Sequence, residues 1–168
     1  MVLAKHEILE RIKRDKLVED YVDLTQQLQP ASFDLTLDKV FELYGGGSID
    51  FDNSSRVLSE ARELSFDASE WVLLKKGVYK VRFKEIVRIP ADLAGVTICR
   101  SSIARCGCNL YNGFWDPGYE GRGESTFLVL NEHGIRLKKY AKIAQMVFFH
   151  LTDEARELYS GVHKGENL

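Results

Sequence analysis

Arg100, Ser101, Ser102 and Arg105 lie in the stretch R-S-S-I-A-R, which sets two guanidinium groups and two hydroxyls within six residues. These groups suit phosphate, because several N–H and O–H donors can converge on a charged oxygen and a guanidinium does so in a fixed fork. Eleven residues beyond Arg105 stands Asp116, in N-G-F-W-D-P-G-Y-E-G. A carboxylate in a glycine-rich turn is suited to taking a proton from water or to meeting a metal. Both stretches also have plain readings: hydroxyls capping a turn at a strand end, and Asp-Pro-Gly as an ordinary turn. Residue type alone leaves these open.

The elements that must position them read mainly as β. Residues 4 to 14 place Ile8, Leu9 and Ile12 on one face among charges, which predicts an amphipathic helix, the only substantial one. In Q-P-A-S-F-D-L-T-L, Phe33, Leu35 and Leu37 alternate with Asp34 and Thr36, the pattern of a strand with one buried face. Tyr44 to Ser55 is a surface loop by composition. Its G-G-G is no phosphate loop, since no Gly-Lys-Ser/Thr follows. From Trp71 to the mid-150s, short apolar segments broken by turns predict an antiparallel sandwich or distorted barrel. Within the segment I-A-Q-M-V-F-F-H-L, Gln145 needs a partner, because an unpaired buried amide costs about 1–3 kcal/mol. D-E-A-R-E-L near the end allows a short helical turn, and residues 159–168 form a polar arm expected to be mobile without a partner surface.

At 168 residues with 45% hydrophobic content, the chain fits one domain with a sizeable core. A formal net charge of -2 argues against a general nucleic-acid binder. Cys99, Cys106 and Cys108 cannot all pair, which points to a reducing cytoplasm. Without a second Cys/His pair at zinc spacing they read as buried or half-buried thiols. No apolar run approaches the ~20 residues of a membrane span, and the start M-V-L-A-K-H-E is too charged for a signal peptide.

Four stretches, in order over residues 29 to 148, resemble the motifs of the trimeric dUTPase and dCTP deaminase superfamily. They are Q-P-A-S-F-D-L, R-S-S-I-A-R, N-G-F-W-D-P-G-Y-E-G and Y-A-K-I-A-Q-M-V-F. The resemblance implies a distorted, jelly-roll-like β-barrel with a short N-terminal helix, assembled as a homotrimer with sites between subunits. It implies dUTP hydrolysis to dUMP and pyrophosphate with magnesium, a reaction that limits uracil in DNA and supplies dUMP for dTMP synthesis. By resemblance Asp34 helps position magnesium through water, and Arg100, Ser101, Ser102, Arg105 and Gln145 bind the triphosphate end. Lys142, standing where Arg is usual, should meet phosphate less specifically. Asp116 becomes the general base, with Asn112 and Gly113 at the nucleoside and Tyr119 under the deoxyribose. The fifth motif departs from the pattern: in G-V-H-K-G, His163 would meet the base and Lys164 a phosphate.

The deaminase branch, which the first motif resembles more, carries a glutamate ten residues after that Asp. Here the position is Thr126, or Leu128 if two residues are inserted, and only Glu124 nearby is acidic. Gly113 stands where dedicated deaminases have His. The combination is similar to an archaeal-type dUTPase on a deaminase-like chain. The alternatives are a dCTP deaminase, alone or bifunctional, and a non-catalytic nucleotide-binding regulator.

Overall fold

The computed structural model describes residues 1–168. It opens with helix α1 (Lys5–Asp15), whose Ile8 and Ile12 are buried. Glu7 Oε2 accepts from Ala4 N–H at 2.8 Å at its start, and Lys16 ends it in the left-handed region with φ 56°. Arg11 pins the helix to the domain by donating to Asp92 Oδ2 at 2.7 Å. A short strand β1 (Val18–Glu19) and one turn of helix, α2 (Leu24–Gln27), follow, the latter N-capped by Asp23, which accepts from Gln26 N–H.

The remaining order is β2 (Phe33–Tyr44), β3 (Glu60–Leu64), β4 (Trp71–Leu74), β5 (Gly77–Phe83), β6 (Ile86–Arg88), β7 (Leu93–Cys99), α3 (Ser101–Arg105), β8 (Cys108–Tyr111), β9 (Glu120–Gly121), β10 (Glu124–Val129), β11 (Ile135–Lys138) and β12 (Lys142–His150). A seven-stranded sheet runs β7-β12-β2-β5-β10-β8, with β3 on the edge of β2. Every pairing in it is antiparallel. It curls into a nearly closed barrel-like sheet. Its two end strands approach each other where Cys99 Sγ lies 3.8 Å from the Cys108 carbonyl, with α3 spanning the gap between them in sequence. A three-stranded sheet β1-β6-β9 and a ribbon β11-β4 complete the domain.

Burial alternates residue by residue along β10, with Ser125, Phe127 and Val129 inward, as a pleated strand with one core face must. Phe33, Phe83, Phe127 and Phe148 are fully enclosed in the one core. The expectation for β2 needs correction. Asp34 and Thr36 are as buried as Phe33 and Leu35, because other parts of the chain cover the second face of this strand. Thr36 meets Glu85, which accepts from Thr36 N–H at 2.9 Å, from Thr36 Oγ1 at 2.6 Å and from Gln27 Nε2 at 2.7 Å.

Two smaller expectations also change. D-E-A-R-E-L forms bends and no helical turn. The three cysteines are unpaired, but Cys106 is exposed, while Cys99 is half-buried and Cys108 buried. No helix is long and apolar enough to cross a membrane.

Candidate functional site

The first cluster forms where β7 ends and β12 passes it. Arg100 precedes α3, so Ser101, Ser102 and Arg105 ride on this single short helix, anchored from below by buried Ile103. Gln145 arrives from β12, and these five residues, none of them hydrophobic, line one cleft of about 500 Å³. Ser101, Ser102 and Arg105 are exposed, and their side chains make no hydrogen bond or ion pair within the protein. Gln145 satisfies its amide by donating to Ser32 Oγ at 3.3 Å.

Asp34 lies behind this cleft. It is 0% exposed, with Arg100 Nε at 3.3 Å and Lys142 Nζ at 3.5 Å. Burial pushes its carboxyl above the usual range, although the Arg100 and Lys142 charges pull the other way. Desolvation therefore outweighs charge pairing here. Lys142 also donates to the Gln26 carbonyl at 3.1 Å, so its ammonium faces this assembly from the α2 side. Asp34 is a buried carboxylate flanked by two cations, not one on the open face of a half-buried strand.

No group of three or more His, Cys, Asp or Glu side chains is placed to hold a metal. Magnesium keeps much of its water shell and is commonly bound through one or two carboxylates plus substrate phosphates. Asp34, fully enclosed, cannot ligate an ion directly; its Oδ1 makes no hydrogen bond and faces Arg100 Nε at 3.3 Å. The donor set therefore fits a water-mediated role for Asp34 and a metal carried in by a polyphosphate.

The second cluster forms after β8. Trp115 pairs with Gly95 of β7 through both backbone hydrogen bonds at 3.0 Å, and Asn112 Nδ2 donates to the Thr97 carbonyl at 3.2 Å. The chain then turns, with Tyr119 N–H donating to the Asp116 carbonyl at 3.1 Å. This leaves Asp116 exposed at the rim of a pocket of about 240 Å³, whose wall also includes Asn112, Gly113 and Tyr119. Tyr119 packs edge-on against Trp115 with ring centroids 4.8 Å apart. Gly123 makes room for that indole, since a Cβ there would meet Trp115 Cη2 at 2.3 Å.

Glu124 lines the same pocket but is tied to Lys80 Nζ at 2.7 Å. Thr126 and Leu128 are not in its wall. The arm supplies Tyr159, His163 and Glu166 to the wall, whereas Lys164 does not reach it. Sequence reasoning missed Glu166 and Tyr159, for a polar tail carries no periodic pattern that could place them. The two clefts share no lining residue, so within one chain the predicted site residues form two separate groups.

A nearly closed β-barrel with a cationic cleft and a separate aromatic pocket carrying a carboxylate is a domain equipped for a small anionic ligand. The chain belongs to the dCTP deaminase-like family, whose model matches residues 2–151. It is 45% identical over 167 residues to a protein of Archaeoglobus fulgidus named as a probable deoxyuridine 5'-triphosphate nucleotidohydrolase, covering 99% of this chain and 98% of that one. A Methanocaldococcus jannaschii protein named deoxyuridine 5'-triphosphate nucleotidohydrolase is 40% identical over 141 residues, 83% of this chain and 88% of the relative. The fold matches the crystal structure of a 2'-deoxycytidine 5'-triphosphate deaminase from Agrobacterium tumefaciens with TM-score 0.66 and 22% identity, over 88% of this chain and 47% of that one.

Proposed function

We propose that the protein hydrolyses dUTP to dUMP and pyrophosphate. The observation that carries this reading is the division of labour between the clefts: the partnerless hydroxyls of Ser101 and Ser102 with the guanidinium groups of Arg100 and Arg105 in one, an aromatic-walled pocket with an exposed carboxylate in the other. Arg100, Arg105, Ser101, Ser102 and Gln145 would take the phosphates, with Lys142 adding charge from behind. Asp34 would hold Arg100 and Lys142 in place. Magnesium bound to the triphosphate would neutralise charge on its oxygens. Asp116 would take the proton of a water attacking the α-phosphorus; the bond to the bridging oxygen breaks and pyrophosphate leaves with the electron pair.

Because the phosphate residues and Asp116 occupy clefts with no common wall, the reading includes a composite site in a homotrimer, one chain's hairpin meeting a neighbour's phosphate cleft. Three unpaired cysteines favour a reducing cytoplasm, and the archaeal relatives support the archaeal branch of these enzymes.

Glu124 in the pocket wall is the observation that favours a second reading, dCTP deamination. Its pairing with Lys80 turns it to a structural use, which supports the first reading over the second. The test is incubation with dUTP or dCTP plus magnesium and separation of the products. The expected outcome is dUMP and pyrophosphate from dUTP, with dCTP unchanged; dUTP or dUMP formed from dCTP would establish the deaminase.

A further inference from the structure

The C-terminal arm does not trail into solvent. Tyr159 N–H donates to the Pro117 carbonyl at 2.7 Å, Gly165 N–H to the Glu120 carbonyl at 2.7 Å and Arg122 N–H to the Glu166 carbonyl at 3.0 Å. Asn167 Nδ2 adds a bond to the Arg122 carbonyl at 3.1 Å. The arm is thus laced along residues 117–122, the turn and strand that follow Asp116.

Two glycines of that turn mark its path. A Cβ on Gly118 would meet Leu158 Cβ at 2.6 Å, and one on Gly121 would meet the Glu166 carbonyl at 2.9 Å and Tyr119 Oη at 3.0 Å. These positions must be bare for the arm to come this close. The lacing fixes the Glu166 side chain, whose Oε1 accepts from Tyr119 Oη at 2.8 Å while Oε2 lies 3.0 Å from His163 Nδ1. Burial and then the Glu166 hydrogen bond push the Tyr119 phenol well above its usual range, so it stays a donor.

We propose that Glu166 is a positioning residue, holding Tyr119 by its hydroxyl and thereby setting how strongly the pocket prefers deoxyribose over ribose. The inference rests on the nucleotide reading given above. A ring clamped from both sides, by Trp115 at its edge and Glu166 at its hydroxyl, cannot yield to a 2'-hydroxyl. A ring held only at its edge can.

The test compares the full chain with Glu166→Ala, Glu166→Gln, Tyr119→Phe and the Glu166→Ala/Tyr119→Phe double variant, reading the dUTP-to-UTP ratio of kcat/KM. Loss of one charge-assisted hydrogen bond should lower the ratio about tenfold in Glu166→Ala and in Tyr119→Phe. The Gln variant keeps an acceptor and should retain most of it. The double variant should be no worse than either single, since both break the same contact. Gly121→Ala, whose added Cβ would meet both the Glu166 carbonyl and Tyr119 Oη, should lower the ratio at least as far as Glu166→Ala. An unchanged ratio in Glu166→Ala, or losses that add in the double variant, would overturn the proposal. Calorimetric binding of dUMP and UMP reads the same preference without turnover. A chain that binds but does not hydrolyse would refute the reaction while still deciding the role of Glu166, and one that binds neither would refute both.

Discussion

Asp34 and Gln145 are cross-strand partners in the β2–β12 ladder, so a fully buried carboxylate and a cleft-lining amide stand side by side on adjacent strands. The carboxylate is fully enclosed and faces Arg100 and Lys142. That placement suits it to aiming the two cations. Of the cleft's donors, Arg100 is therefore held from beneath before any ligand arrives, a step towards electrostatic stabilisation without reorganisation.

Asp34→Asn keeps the shape and removes the charge that aims both cations. The expected result is a fall of about 10²-fold in kcat/KM for dUTP, the order attached to a misplaced binding group. Far-UV circular dichroism should remain native. Steady-state kinetics check this, and activity within a few-fold of the parent would show that Arg100 and Lys142 hold their places without Asp34.

Asp116→Asn removes the proposed base while leaving an isosteric amide at the pocket rim. Turnover should fall 10²–10⁴-fold, the usual contribution of general-base catalysis. Binding of a non-hydrolysable dUTP analogue, followed by calorimetry, should change little. Near-normal turnover would place the base elsewhere.

How much of this was legible in the sequence differs from residue to residue. The periodicity of Ile8 and Ile12 marked α1 because one face of a helix meets the core and the other meets water. The same logic failed at Asp34 and Thr36. Alternation reports polarity, and a polar side chain can be buried when Arg100, Lys142 or Glu85 supplies its partners from far along the chain. Strand β3, E-A-R-E-L, gave no apolar signal because it is an edge strand held through backbone pairing to β2 and ion pairs such as Lys39 with Glu63. The phosphate cleft was legible from residue type and motif order, as were Asn112, Gly113, Asp116 and Tyr119 of the pocket, whereas Tyr159 and Glu166 in the same wall were not. That they form two clefts was not, since separation depends on β7 and β12 carrying one set while the turn after β8 carries the other.

Glu85 offers a test of the buried network by pH. Burial raises its carboxyl above the ordinary value of about 4.3 despite the hydrogen bonds from Thr36 and Gln27. Between the unfolded and folded values the native state holds a proton that the unfolded chain has released. The contribution of Glu85 to stability is therefore greatest below that window and declines as pH rises through it. Glu85→Gln does not titrate. Urea unfolding of both proteins across pH 4 to 8, a span set about the carboxylate range, should show the stability of the parent relative to the variant shrinking as pH rises. A difference that is flat, or that grows with pH, would mean that the three hydrogen bonds outweigh desolvation.

The composite site makes the strictest prediction, because it concerns which chain supplies which group. Ser102→Ala damages the phosphate cleft and Asp116→Ala the pocket, and neither cleft contains a residue of the other. Each variant alone should be inactive. After the two are unfolded and refolded together, random mixing places an intact pocket beside an intact phosphate cleft in about a quarter of sites, provided each site draws on two chains. Activity should return to that order. If every site were built within one chain, each would carry one of the two defects and the mixture would stay inactive. Refolding the variants separately and mixing them afterwards controls for exchange. Mass measurement of the mixed assemblies confirms that both chains share a ring, and an inactive mixture that contains such rings would rule out the composite site.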